Sequence, residues 1–148
     1  MLTETLQLLF KRDLNKLKVE IESYKDEKKI WCVDKQIKNS AGNLCLHLVG
    51  NLNTYIGATL GNTNYSRNRE LEFSLKYIPA AELVNKIEAT IEVVNTILNN
   101  LTDKQMEDEY PLLVFDNKTS GGYFLVHLAA HLAYHLGQIN YHRRLLDI

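Results

Sequence analysis

The stretch from Tyr123 to His142 contains no aspartate, glutamate, lysine or arginine. Its apolar residues recur with a helical period, so we predict one long helix that continues to about Leu146. A helix without charge on any side is usually buried. The stretch has the length of a membrane span, but its four histidines, Gln138 and Asn140 would be costly in lipid. The sequence therefore predicts a helix inside a globular protein.

Four of the five histidines of the chain lie on this predicted helix: His127, His131, His135 and His142. Because a helix turns by about 100° per residue, steps of four residues rotate the side chain by only about 40°. The first three histidines therefore share one face. Buried imidazoles need partners, and histidines four residues apart are a recurrent ligand spacing. We predict a metal site here, with hydrogen-bonded core histidines as the alternative.

His47 is the only other histidine in the chain, and it lies between leucines in a second predicted helix. It is therefore the one histidine that another helix could add to the site. His142 precedes two arginines and is expected at the solvated end of its helix. Gln138 and Asn51 are candidates to orient ligands or bound water, and hydrogen bonds between helices are the alternative.

A general base is harder to identify in this sequence. There is no HExxH motif, so the glutamate base of zinc proteases is missing. Glu70 and Glu72 are candidates because their loop is expected beside the mouth of the site. An Arg–Glu pair that locks the loop is the role that the sequence favours for them.

Apolar periodicity predicts four helices, over residues 2–25, 40–61, 79–101 and 119–146. Ser40, and Thr119 or Ser120, are expected N-caps, and Pro79 suits a first turn. Loops are expected between the helices, with a short extended piece at 112–115. The sequence thus predicts a single all-α domain over residues 1–148, a four-helix bundle with long loops after its first two helices.

The net charge limits which partners the protein is expected to bind, and the cysteine content limits its disulfide bonds. A net charge of −1 gives no reason to expect nucleic acid or an anionic membrane. Cys32 and Cys45 are too few for a disulfide framework. The N-terminus acquires charges too early for a secretory signal, so we expect a cytoplasmic protein.

Three segments carry motifs of one family: HLAYHLGQI in the last helix, NSAGNLCLHLVGNL in the second, and the run that contains Arg67, Arg69, Glu72 and Phe73. Together they resemble the DinB-like superfamily of metal-binding four-helix bundles, which includes bacillithiol- and mycothiol-dependent transferases. The second and third segments are similar to those of one bacterial subgroup. The resemblance implies a divalent metal, zinc or nickel, held by His47, His131 and His135. It also implies a homodimer, and it leaves His127 as a neighbour of the site.

The resemblance and the open coordination of a three-histidine site favour an enzyme. Such a metal lowers the pKa of bound water or stabilises a thiolate. We therefore expect a thiol S-transferase or a hydrolase that acts on a small molecule, with a low-molecular-weight thiol as a candidate partner. The alternatives are a non-catalytic metal- or ligand-binding bundle active in stress responses, and a purely structural bundle.

Overall fold

The computed structural model of the chain describes residues 1–148 and contains helices but no strands. The six helices are α1 (Leu2–Glu22), α2 (Ala41–Leu52), α3 (Arg69–Ser74), α4 (Ala80–Asn99), α5 (Asp103–Glu107) and α6 (Gly121–Leu146). Helix α2 continues through a π-helical turn, Asn53–Ala58, into a last turn at Thr59–Gly61. A 3₁₀ helix spans Glu27–Trp31. The prediction of an all-α fold is confirmed.

The four long helices surround one hydrophobic core. Helix α1 packs against α4 and α6, and α2 packs against the same two helices. The buried side chains of α1 recur every three or four residues, which directs them to one face: Leu6, Phe10, Leu14, Leu17 and Ile21. This arrangement places α2 beside α6, the two helices that carry all five histidines.

The predicted helix starts agree closely with the structure. The Ser40 side chain accepts a hydrogen bond from the backbone N–H of Asn43, and Ser120, not Thr119, caps α6 through the N–H of Tyr123. Pro79 directly precedes α4. These serines satisfy backbone donors that have no partner within the helix.

Two of the segments that were predicted as loops contain short helices. Helix α3 lies in the second loop, where Asn68 caps it, and α5 lies in the third, where Thr102 and Gln105 form a capping box. The extended piece at 112–115 is not a strand. A strand needs a pairing partner, and this segment has none along its length.

The prediction that α6 is buried is wrong for one side of the helix. Tyr134 and Tyr141 are 66% and 63% exposed. The helix lacks charge because its outer face carries tyrosines and small residues. No helix in the structure has the length and apolar character needed to cross a membrane.

His142 is buried at 4% exposure, so its expected place at a solvated end is wrong. Its Nδ1 lies 2.6 Å from the hydroxyl of Tyr24, and its Nε2 lies 2.8 Å from the carbonyl oxygen of Cys32. The carbonyl can only accept, so Nε2 carries the hydrogen and Tyr24 donates to Nδ1. This neutral imidazole joins the end of α1, the following connection and α6.

We expect His142→Ala to lower the free energy of unfolding by about 2–4 kcal/mol at pH 7.5, because it removes two buried hydrogen bonds and leaves a cavity. Burial lowers the pKa of His142, so the unfolded chain binds a proton there before the native protein does. The wild-type protein loses this contribution as the pH falls below about 6.5.

The difference between wild type and His142→Ala should therefore be smaller at pH 5 than at pH 7.5. Urea unfolding at both pH values measures it, and the exposed Leu145→Ala serves as a control with little loss at either pH. An equal difference at both values contradicts a neutral, hydrogen-bonded His142.

Candidate metal centre

Two packed helices bring three histidines together. His47 comes from α2, and His131 and His135 come from successive turns of α6. One ring nitrogen from each residue lies within 4.8 Å of the others. The Nε2 atoms of His47 and His131 are 3.2 Å apart. These are the three histidines that the sequence singled out as ligands.

The separation between two of these nitrogens fits a shared metal ion. Zinc binds imidazole nitrogen at about 2.0–2.1 Å, so two nitrogens on one tetrahedral ion lie about 3.3 Å apart. The observed 3.2 Å between His47 and His131 agrees with that distance. The donor set, three imidazoles without a thiolate, suits zinc, nickel, copper or iron.

Hydrogen bonds set the tautomers of two of the three rings. Glu72 Oε1 lies 3.1 Å from His47 Nδ1, and Gln138 Oε1 lies 2.7 Å from His135 Nδ1. Both oxygens accept, so each Nδ1 carries the hydrogen and each Nε2 keeps its lone pair. Gln138 thus orients a candidate ligand, one of the two roles that the sequence left open for it.

The environment keeps the central rings neutral. Burial, together with the neighbouring histidines His135 and His47, lowers the pKa of His131 to about 4. Burial is also the largest cause of the lowered pKa of His47. The Nδ1 atom of His131 is buried without a hydrogen-bond partner. Neutral imidazole is the form that binds metal ions.

Glu72 is a buried member of an ion pair. Arg67 donates from Nε to Oε2 at 2.8 Å and from Nη2 to Oε1 at 2.9 Å. Glu72 is therefore committed to Arg67 and His47, and the locking role is the one that the structure shows. Glu70, the other candidate base, is exposed. Both side chains of this pair are largely buried.

Gly50 makes room for this carboxylate. A Cβ atom at position 50 would lie 1.9 Å from Glu72 Oε2. Any side chain there would push Glu72 out of its place beside His47. Gly50 is therefore required for the close approach of α3 to α2.

Asn43 is a positioning residue to which the sequence assigned no role. Its amide nitrogen donates to the carbonyl oxygens of Glu72 and Leu75, both at 2.9 Å. Lys76 and the hydroxyl of Ser40 donate to its side-chain oxygen. The signal was available in the sequence, because Asn43 lies one helical turn before His47 on the same face of the helix.

Two other residues lie near the site without joining it. His127 is half-buried, its ring centre is 6.2 Å from that of His131, and its edge meets Phe115. It is a neighbour of the site, as expected. Asn51 is buried with its side-chain oxygen unpartnered, and it makes no hydrogen bond to the three histidines.

Comparisons with known proteins agree with the helical fold. No curated protein matches the chain. A solved structure, described as a conserved protein from Enterococcus faecalis, superposes with a TM-score of 0.78 at 14% identity, covering 97% of this chain and 96% of that one. This likeness shows the fold alone. A family model described as "protein of unknown function (DUF1572)" matches residues 4–147. The chain therefore belongs to the DUF1572 family.

Proposed function

We propose that this protein is a DinB-like four-helix bundle that holds a divalent metal, zinc or nickel, on His47, His131 and His135. One observation carries the proposal: three imidazole nitrogens converge within 4.8 Å. Two of the rings are also held with Nε2 free to bind, which is how metal-ligating histidines are usually oriented. Core histidines that merely filled space would not need this arrangement.

The proposed activity is metal-dependent thiol transfer to a small electrophile, or hydrolysis. Three nitrogen ligands leave coordination positions open, and a bound divalent ion supplies an activated water or a stabilised thiolate. In the transfer, the thiolate sulfur forms a bond to an electrophilic carbon, a leaving group departs with its electron pair, and the thiol proton passes to solvent. The chain's own contribution is to orient the ligands through Glu72 and Gln138.

A pocket of about 540 Å³ beside the site supports a small-molecule substrate. His135, a proposed ligand, forms part of its wall together with Gln138 and Tyr134. Small-molecule sites commonly have volumes of about 300–1,000 Å³. A substrate in this pocket would therefore contact the metal-binding face of α6.

The second candidate is a non-catalytic metal- or ligand-binding module. The observation in its favour is that the buried carboxylate nearest the histidines already has hydrogen-bond and ion-pair partners. Glu72 is paired with Arg67 and hydrogen-bonded to His47, so it is not free to act as a general base. A thiolate transfer does not require such a base once the thiol is ionised, which is why transfer is the leading proposal.

We expect the purified protein to bind about one zinc or nickel ion per chain, since three ligands converge on one point. His47→Ala, His131→Ala and His135→Ala should each lower metal content at least about tenfold after dialysis, and His127→Ala should not. Elemental analysis measures the content. Added metal should also raise the Tm of the wild type, because it binds only the native state.

Turnover separates the two candidate functions. Thiol consumption with a panel of electrophiles should occur in the wild type and be lost in His47→Ala. Retained metal without turnover across the panel favours the non-catalytic module. Equal metal content in all four variants, with no change in Tm on adding zinc, contradicts the metal site itself.

Glu72→Gln should weaken metal binding by about 10–100-fold. The amide keeps the size of the side chain but removes the charge that orients His47 and pairs with Arg67. Competition with a chelator measures the affinity, and circular dichroism checks that the helices remain. Glu70→Gln, an exposed change on the same short helix, is the control. An unchanged affinity in Glu72→Gln means that His47 is oriented by other contacts.

We also propose that the protein forms a homodimer through the outer face of α6. This face is uncharged over its length, and its members are exposed or half-exposed and mostly small: Tyr123, Val126, Ala130, Ala133 and Gly137. Nothing lies within 4 Å of a Cβ built on Gly137, so another helix could approach closely. Interface cores are depleted of charge in the same way.

Val126→Glu should convert the dimer to a monomer, because it places a charge in the middle of the apolar contact. Sedimentation equilibrium measures the mass in solution. Val33→Glu, at an exposed site outside α6, should leave the dimer intact. A wild-type protein that is monomeric at all concentrations contradicts this proposal.

A further inference from the structure

The pocket beside the proposed metal centre has a distinct charge pattern. It lies between residues 36–39, which precede α2, and the second half of α6. Lys38 is the one charged residue in its lining, and no aspartate or glutamate lines it. Lys38 makes no ion pair and no hydrogen bond with another residue. Its positive charge is therefore available to a ligand.

A second free cation contacts a residue of the pocket wall. The guanidinium of Arg144 lies 5.1 Å from the ring centre of Tyr141, a residue of the pocket wall. The neighbouring Arg143 is already paired with Glu20, whereas Arg144 has no acidic partner within ion-pair distance. Two unpaired cations, together with the lack of any acid in the lining of the pocket, favour a negatively charged ligand.

Five of the eleven residues that line the pocket are hydrophobic, and Gln36 and Asn39 are polar. Ile37 and Leu44 lie on one side and Tyr141 and Leu145 on the other, while His135 and Gln138 line the part that faces the histidine cluster. A ligand in this pocket would thus contact the imidazole of His135 and apolar surface, with Lys38 and Arg144 as the available cations. Convergent polar groups in an apolar cleft are typical of small-molecule sites.

We propose that this pocket selects organic anions: small molecules with an apolar or aromatic body, a carboxylate that pairs with Lys38 and Arg144, and a thiol that reaches the metal. This inference rests on the proposed function for the role of the thiol. The charge preference does not depend on it, because Lys38 and Arg144 belong to no part of the proposed metal centre.

Matched probes test the charge preference with cobalt-loaded protein. 4-(Mercaptomethyl)benzoate and its neutral carboxamide have the same shape and differ in one charge. Titration of the sulfur-to-cobalt absorption band gives both dissociation constants. We expect the benzoate to bind about two- to fivefold more tightly, the range of a solvent-exposed ion pair. The preference should fall as salt is raised.

Substitutions of single residues test the contribution of each part of the pocket to binding. Lys38→Met and Arg144→Met should each reduce the preference for the benzoate and leave the carboxamide unaffected, and the double variant should abolish the preference. Tyr141→Ala should weaken both probes equally, because it removes apolar surface. Lys28→Met removes an exposed lysine that does not line the pocket and should change nothing. Equal binding of the two probes, or a preference that survives in the double variant, overturns the inference.

A metal-free measurement keeps the two proposals separate. 4-Ethylbenzoate and 4-ethylbenzamide lack the thiol, and NMR titration of the purified protein follows the amide signals of residues 36–39 and of Tyr141. A preference for the benzoate here supports the anion pocket even if the protein binds no cobalt, an outcome that counts only against the proposed function. No shift of these signals with either compound overturns the inference.

Discussion

The buried carboxylate of Glu72 holds the connection between α2 and α4 against the face of α2 that carries His47. A buried carboxylate costs several kcal/mol unless paired and hydrogen-bonded, and here Arg67 and His47 together satisfy both oxygens. The space for it exists only because position 50 is glycine. Asn43 adds two hydrogen bonds to the backbone of the same segment. The orientation of His47 thus depends on residues about twenty positions later in the chain.

The histidines of α6 show how neighbours decide the role of a residue type. His131 and His135 meet His47 because α2 lies against the middle of α6. His127, one turn earlier, meets the ring of Phe115 instead. His142, near the end of the helix, meets a tyrosine hydroxyl and a backbone carbonyl. The spacing places these rings on one stripe, but only the packing of other segments gives each ring its partner.

The sequence was sufficient for local features and for the general position of the site. Ser40 and Ser120 are caps because a serine oxygen can satisfy a free backbone N–H, and that rule needs no tertiary information. The helical period located the four long helices, and the three-histidine set followed from spacing and from the DinB-like resemblance. The burial of His142 was not predictable, because its partners Tyr24 and Cys32 are more than one hundred residues away. Two arginines beside it suggested solvent, yet they lie on other faces of the helix. The helix α3 was missed because its six residues are too few for a periodic signal.

The charges around the histidine cluster bear on what a bound ion would attract. The three proposed ligands are neutral imidazoles, and the one nearby carboxylate, Glu72, is compensated by Arg67. A divalent ion held there would therefore keep nearly all of its positive charge, unlike an ion bound by carboxylates or thiolates. Such a charge, partly buried, favours an anionic partner more strongly than an exposed lysine can.

The free cations Lys38 and Arg144 at the adjoining pocket extend the same positive potential outward. An anion that enters between them and approaches His135 moves toward increasing positive charge, so the same electrostatics would draw in a substrate and stabilise its ionised thiol.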